Sequence, residues 1–579
     1  MRNHILIRPS RHTAVTAVAG IALTGVLASC AGPQDGDSES GAGGKPAKGG
    51  KLLVLNTEPQ VNFDPARLYT SGGGNVPSLV FRTLTTRKRA NGEEGTKVVP
   101  DLATGLGKPS ENAKVWTYKL KKGLTYEDGS RITSADIKYG VERSFAAELS
   151  GGAPYLRDWL EGGADFQGPF AKKGPKTLDS IETPDERTIV FRLKKPVGDF
   201  PYVATQTQFA PVPEKKEKGA KYEKHPLSSG PYKVVKNEND GERLQLARNT
   251  HWSAKNDPHR HDYPDSIEVR SGLDPAVINQ RLSTSSGDDA KAITTDTNLG
   301  PAELAKLGKD GNDKELKKRV GVGHFGYTNY LAFNPKVKPF DKKEVREAIS
   351  YAIGRRSVVN AVGGTSLAEP ATTFLPNQKA LGYTPYDHFP AGKNGSPEKA
   401  REVLKKAGYE KGLTVTLAHS TDDSAIGSKV ATAVQQSLKK AGITVKLKGL
   451  ERNAYDEKRQ DAGDTPGFFL SQWGADWPAG YPFLAPIYDG RQIVKDGSNF
   501  NHAQLDDDKI NKKFDDISGD TDLKAAARRW GALDKEIGEQ ALSVPLFHPV
   551  YQRLVGKDVK NVVISDWTGV LDIAQVAVK

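Results

Sequence analysis

Two helix-like runs alternate with two strand-like runs between residues 396 and 450, and that order leaves few architectures open. Ser396 and Pro397 start the first helix, with proline in a first-turn position whose N–H would need no partner. The run ends at Leu404-Lys405-Lys406-Ala407-Gly408, and the strand pattern LTVTLAHS follows at 413–420. A second helix pattern ends on the same five residue types at 438–442, and ITVKLKGL follows at 443–450. Both glycines suit the left-handed residue that closes a helix. Strand, helix and strand in succession predict parallel neighbours joined by a right-handed crossover. The fold class is therefore α/β. The repeated ending is shared capping chemistry and does not mark an internal repeat.

The segment 468–484, FFLSQWGADWPAGYPFL, holds two of the seven tryptophans, three phenylalanines and a single acid, Asp476. It contains no basic residue. Phe468 to Trp473 can extend as a strand. Gly474, Pro478, Gly480 and Pro482 then interrupt regular structure, so the strand is expected to give way near Trp473 to a stiff aromatic loop. Two readings stand. In one, a core strand runs into a surface turn and Asp476 caps the loop. In the other, aromatic faces exclude water and one carboxylate is reserved for a cation.

Other elements have clear local logic. Trp116, Tyr118 and Leu120 alternate with polar residues, a strand with one buried face. Thr133 and Asp136 form a capping-box start, and Ile137, Val141 and Phe145 follow on one helix face. Asp341 is expected to cap a further helix, with Glu344 three residues on and Val345, Ile349, Ala352 and Ile353 facing inward.

The N-terminus fixes a compartment. The first twelve residues carry three arginines and no acid, and 13–29 are uncharged and mostly small or apolar. A basic start, a short apolar run and small residues before a cut describe a secretory signal, and 17 residues are marginal for a membrane crossing. Cys30, the only cysteine of 579 residues, follows Leu27-Ala28-Ser29, where a bacterial lipobox places it. That resemblance implies cleavage before Cys30 and lipidation of its thiol. Each buried lipid CH₂ contributes about 0.8 kcal/mol, so two or more acyl chains hold where one would not. With one cysteine there is no internal disulfide. Residues 31–50 lack large apolar side chains and are rich in Gly, Ser and Pro, which predicts a flexible tether at 30–50 after a signal at 1–29.

The net charge of +12 falls to +9 once the three signal arginines are removed, and the charges are interspersed. No concentrated basic stripe with interleaved aromatics exists, so no nucleic-acid partner is expected. Gly321, Gly323 and Gly326 match a dinucleotide fingerprint by letter. They precede a strand-like run rather than a helix, which excludes the fingerprint. His259, His261 and Asp262 could bind a metal but read as surface loop. No metal or cofactor is expected, and no nucleophile motif points to an enzyme.

Four blocks carry a family resemblance. The stretch GLTYEDGSRITSADIKYGVERSF at 123–145 resembles the signature of the family-5 extracellular solute-binding proteins of ABC transporters, the oligopeptide and dipeptide binders. Ser229-Gly230-Pro231-Tyr232 is similar to that family's strand entry. Asn334-Pro335, Pro339-Phe340-Asp341, Val345-Arg346 and the run from Ala348 to Arg355 resemble its second helix block. Trp473-Gly474-Ala475-Asp476 resembles its Trp-x-x-Asp. The resemblance implies a two-lobed periplasmic-binding-protein-like fold of the three-domain, peptide-binder type that closes by a hinge. Domain I would comprise 51–93, 225–325 and 545–579, domain II 94–224, and domain III, the second lobe, 326–544. It implies a short peptide as ligand and ABC permease subunits as partners, for a monomer held by lipid on the extracytoplasmic face of the cell membrane. Asp476 would anchor the peptide ammonium. Trp473 and Trp477 would wall the neighbouring pockets beside Gly474, and Tyr69, Thr70, Ser71 and Gly72 would contribute from the opposite lobe. Arg355 and Arg491 are candidates for the peptide carboxylate, with a purely structural role within its helix as the alternative for Arg355. The resemblance also puts Gly321, Gly323 and Gly326 near a crossover between lobes, which implies a hinge or close backbone packing there. Beyond Trp477 the sequence leaves the peptide-binder pattern, so a nickel complex, a sugar or another amine stays open as ligand.

Overall fold

The computed structural model describes residues 45–579, apart from 60–62, 70–74, 239–240, 309–310, 422–425 and 496–497. The signal segment, Cys30 and most of the tether lie outside the described residues, as do Thr70, Ser71 and Gly72. The last tether residues are tied to the folded body. Ala47 N–H donates to the Lys579 carbonyl at 3.2 Å and Gly49 N–H to the Tyr263 carbonyl at 2.8 Å. Backbone donors a few residues before Lys51 thus find fixed acceptors.

The chain builds three principal sheets. A five-stranded sheet runs Ala292–Ile293, Lys51–Leu55, Ser266–Arg270, Arg243–Arg248, Tyr232–Glu238, with Lys51–Leu55 parallel to both its neighbours. A four-stranded antiparallel sheet runs Lys108–Ser110, Val115–Lys119, Thr188–Arg192, Ile181–Asp185. A seven-stranded sheet runs Val320–His324, Ser543–Leu554, Tyr327–Phe333, Phe468–Gly474, Leu413–Ser420, Ile443–Leu450, with Ala368–Pro370 also paired to Ser543–Leu554. Val320–His324 and Ser543–Leu554 pair with each other, Val322 opposite Gln552. The two long strands that lead into and out of the largest sheet thus lie side by side.

The strand–helix–strand expectation holds. Leu413–Ser420 and Ile443–Leu450 pair in parallel with Leu413 opposite Ile443, and the helix Ile426–Lys440 connects them. Leu413, Val415 and Leu417 are buried while Thr414 and Thr416 are exposed, the period-2 pattern of a strand with one covered face. Gly408 and Gly442 adopt φ of +86° and +80°, as the helix ends require.

The helix Ser134–Arg143 opens on the expected capping box: the Asp136 carboxylate accepts from Thr133 N–H at 2.7 Å. Ile137 and Val141 are buried, and Phe145 packs just beyond the helix end. Arg143 closes the helix inside the protein. Its guanidinium meets Asp64 at 2.5 and 3.0 Å and Glu217 at 2.8 and 3.2 Å. Burial works against ionising Glu217, but Arg143 and the N–H groups of Lys218 and Gly219 outweigh it and hold the carboxyl below its ordinary range.

Two expectations are corrected. Asp341 does not cap a helix. The chain is still completing a turn, with Lys342 N–H on the Pro339 carbonyl at 3.3 Å, and the helix starts later, at Lys343–Ala352. The prolines after Trp477 do not keep the chain irregular either. Gly480–Tyr488 is a helix containing Pro482 and Pro486, with all but Pro486 buried. Pro482 lies in the first turn, where a missing N–H costs nothing, and burial on nearly all sides offsets the lost bond at Pro486.

Asp534, on the helix Leu523–Gly538, is buried, with one oxygen accepting Leu375 N–H at 3.2 Å and the other without a partner. Burial, opposed by that N–H and Tyr386, pushes its carboxyl up to about 7. A folded-state value above the ordinary one gives a stability contribution that is present in acid and lost as pH rises through about 7. The denaturation midpoint should therefore fall between about pH 4 and pH 7 in the wild type, and Asp534→Asn should flatten that fall. An equal fall in both proteins would exclude Asp534 as its source.

Candidate functional site

The strand Phe468–Gly474 lies inside the seven-stranded sheet and pairs along its length with Tyr327–Phe333, Gly474 opposite Tyr327. Phe468 stacks on Phe333 at 5.3 Å, and Phe469 meets His502 edge-on at 5.0 Å. These rings fix the strand from its buried end. A Cβ on Gly474 would fall 2.3 Å from the Tyr327 ring, so only glycine fits at the last position. Ala475 N–H then donates to the Gly326 carbonyl at 3.1 Å, which holds the chain just past the strand and sets Asp476 in place.

One Asp476 oxygen accepts the hydroxyl of Tyr69 at 2.8 Å and the hydroxyl of Tyr155. No lysine, arginine or histidine among the described residues bonds to this carboxylate. Burial raises its pKa, opposed by the two hydroxyls. The phenols respond in kind: burial and then the Asp476 charge push both up. Asp476 is thus a half-buried anion satisfied by neutral donors, an arrangement in which an arriving cation gains more than it would in water.

The tryptophans take different places. Trp473 is half-buried, packs on Phe500 at 5.0 Å and donates to the Pro482 carbonyl at 3.1 Å. Trp477 is fully buried, edge-on to Tyr155 at 4.8 Å and Trp159 at 6.0 Å, and its indole N–H donates to Asp199 at 2.6 Å. Burial pushes the Asp199 carboxyl up to about 6 against that donor. Lys195 lies over the rings of Trp159 and Tyr481. Trp477 therefore seals the contact between the segment 155–199 and the segment beyond Asp476, rather than facing open space.

Two cavities flank the strand end. One, of about 250 Å³, is lined by Tyr327, Leu470 and Gln472 and by Arg452, Asp456 and Arg459 of the helix Arg452–Gln460. Asp456 accepts from Arg452 Nε and from Arg459 Nε, each at 2.7 Å. Burial disfavours its charge, but the two arginines hold it below the usual carboxylate range. Asp456 thus sits between two arginines on this wall. The other cavity, of about 130 Å³, is lined by Asp476 and Tyr69 together with Arg87, Arg89 and Arg260.

The carboxylate candidates are corrected. Arg355 is buried and spends its Nε on the carbonyls of Ala371 at 2.5 Å and Pro545 at 3.2 Å. Arg491 forks onto Asp489 and Asp515. Neither lines these two cavities. The sequence reading missed Arg452, Asp456 and Arg459, although their spacing at i, i+4 and i+7 puts them on one helix face. Tyr155 and Asp199 carried no sequence signal. His259 reaches the Pro100 carbonyl at 3.0 Å and His261 stacks on Tyr263, so both rings are engaged in packing. Gly321 and Gly323 lie in an edge strand where a Cβ would meet the Ile564 side chain and, at Gly323, the Gly569 carbonyl at 2.4 Å, the close packing expected of them.

An α/β body of several sheets, with desolvated charges turned to cavities beside a strand end, defines a two-lobed binding protein of the periplasmic type. The chain belongs to the bacterial extracellular solute-binding proteins, family 5, whose Middle region matches residues 97–494. It is a binding protein and not an enzyme. Di/tripeptide-binding protein 1 of Pseudomonas aeruginosa (strain UCBPP-PA14) is 26% identical over 548 residues, 89% of this chain and 92% of that one. Oligopeptide-binding protein OppA of Bacillus subtilis (strain 168) is 25% identical over 73% of this chain and 75% of its own. Among solved structures, clavulanic acid biosynthesis oligopeptide binding protein 2 superposes with a TM-score of 0.85 at 32% identity, covering 93% of this chain and 99% of that one. No helix among the described residues is long and apolar enough to cross a membrane.

Proposed function

We propose that this protein captures short peptides between its two lobes and delivers them to an ABC import permease, held at the extracytoplasmic face of the cell membrane by lipid on Cys30. The observation that carries the reading is the charge pattern at the end of strand Phe468–Gly474. Asp476 is an anion bonded only by hydroxyls among the described residues, and the larger cavity beside the same strand presents Arg452 and Arg459 on its wall, both bonded to Asp456. A peptide is the common solute with an ammonium at one end and a carboxylate at the other. Asp476 takes the first, with Tyr69 from the facing lobe, and Arg452 and Arg459 take the second. The Gly474 backbone offers the strand-like pairing that an extended peptide uses, Trp473 walls the adjacent pocket, and Trp477 supports Asp476 from behind. The relatives named for di-, tri- and oligopeptides support this reading. A non-peptide amine would satisfy Asp476 and leave the arginines unused.

The domain division follows the same proposal: 51–93, 225–325 and 545–579 with 94–224 form one lobe, and 326–544 the other. The paired strands Val320–His324 and Ser543–Leu554 are the place for the hinge. The protein acts as a monomer, tethered by residues 30–50.

Calorimetry with one tripeptide in three forms tests the reading. The free form should bind, and N-acetylation should weaken it at least tenfold, about 1.4 kcal/mol. C-terminal amidation should weaken it by a similar factor. Equal affinity for all three forms would sink the proposal, and native mass spectrometry of the protein as purified would then show what it holds instead.

A further inference from the structure

The smaller cavity carries on its wall two arginines that share a single acid. Two clusters of arginine line or back it: Arg82 and Arg260 pair with Asp101 and Asp257, two cations to two anions, and Arg87 and Arg89 share Asp572, two cations to one anion. Their side chains are nearly all buried, Arg89 and Arg260 at 2% exposure. Asp572 gives one oxygen to Arg89 at 2.5 Å and the other to Arg87 at 3.3 Å. That leaves the Nε–H of Arg87 and the Nε–H of Arg89 buried without partners. Buried polar groups are almost always paired, and a charged donor left unpaired is costlier still. Arg89 also feels the imbalance. Burial, offset in part by Asp572 and reinforced by Arg260 and Arg87, lowers its pKa to about 10.

Arg87, Arg89 and Arg260 line the same cavity as Asp476 and Tyr69, and the Thr86 and Gln206 side chains share its wall. The cavity measures about 130 Å³. A space of that size admits a carboxymethyl or carboxyethyl group.

Building on the peptide reading, we infer that this cavity is an oxyanion subsite that takes the acidic side chain of the ligand's first residue, with the guanidinium groups of Arg87 and Arg89 that line it as its donors. An N-terminal Asp or Glu carries its ammonium and side-chain carboxylate only a few bonds apart, which matches one cavity walled by Asp476 and by the arginines. The rest of the peptide then leaves for the larger cavity. A free carboxylate such as acetate presents the same chemistry and is the other source of the anion.

Calorimetry with the wild-type protein and the pair Glu-Ala-Ala and Gln-Ala-Ala tests this. The glutamyl peptide should bind at least tenfold more tightly. Arg87→Gln, the least buried of the network arginines, should bring the ratio to within threefold. Should that variant not fold, the wild-type ratio decides alone. Equal binding of the two peptides, or tighter binding of Gln-Ala-Ala, overturns the subsite and leaves the peptide reading standing. If neither peptide binds, the peptide reading fails, and thermal unfolding in millimolar acetate against chloride at equal ionic strength decides the subsite. Stabilisation of the wild type by acetate supports it, with a free anion as occupant, and no stabilisation overturns it.

Discussion

Asp476→Asn should weaken peptide binding at least tenfold, and by about 2–5 kcal/mol if the ammonium is fully desolvated on the carboxylate. The change removes one charge and keeps the side chain's size. Tyr69 and Tyr155 can still donate to the remaining carbonyl oxygen, so the local geometry has no reason to collapse. Calorimetry at fixed pH measures the loss, and an unchanged Kd would remove Asp476 as the anchor. The pH dependence supplies a second readout. Burial raises the Asp476 pKa, so the carboxylate begins to protonate above the ordinary aspartate value of about 3.9. An ammonium needs the ionised form, so wild-type affinity should decline as pH falls through that window, while the Asn variant lacks the decline. The stability of the ligand-free protein responds in the opposite sense. A raised folded-state value contributes stability in acid that is lost as pH rises through it.

Arg143→Ala should destabilise the protein by about 3–5 kcal/mol, because it strands the fully buried Asp64 carboxylate without its cation. Arg143 and Asp64 are both fully buried, and Glu217 is nearly so at 13% exposure. The guanidinium ties the end of helix Ser134–Arg143 to two segments far apart in sequence, which is why one substitution should loosen all three. The denaturant midpoint reads the loss. Removing Asp64 as well, in Arg143→Ala with Asp64→Ala, should recover part of it, because the stranded carboxylate goes too. A double variant no more stable than Arg143→Ala would show that packing, rather than the unpaired charge, sets the cost.

Local rules were enough for much of the fold. The strands at 413–420 and 443–450, the capping box at Thr133 and the left-handed glycines after two helices all depend on neighbours within a few residues, and all were legible. Two local readings failed where long-range burial outweighed local preference. The helix Gly480–Tyr488 forms despite its prolines because nearly all of it is covered, and Asp341 loses its cap to a turn that delays the helix. The candidate site divides in the same way. Asp476, Trp473 and Gly474 stood out because they adjoin one another in a charge-poor aromatic stretch. Tyr155, Asp199 and the arginines at 87, 89 and 260 did not, since their meaning comes from partners tens to hundreds of residues away.

The sequence by itself determined the α/β class, the family, the strand that ends at Gly474 and the lone acid that follows it, because each is written in residue types at short spacing. Only the tertiary structure decided what surrounds that acid. Tyr69 and Tyr155 reach it across 407 and 321 residues of chain. Trp477 turns inward to Asp199. Arg452 and Arg459 meet on Asp456 beside the strand, and Arg87 and Arg89 exhaust Asp572 and still have donors to spare. Whether a charge is answered or left over depends on which groups folding brings within hydrogen-bond reach and how much water it excludes around them. Neither quantity exists until the chain has closed on itself.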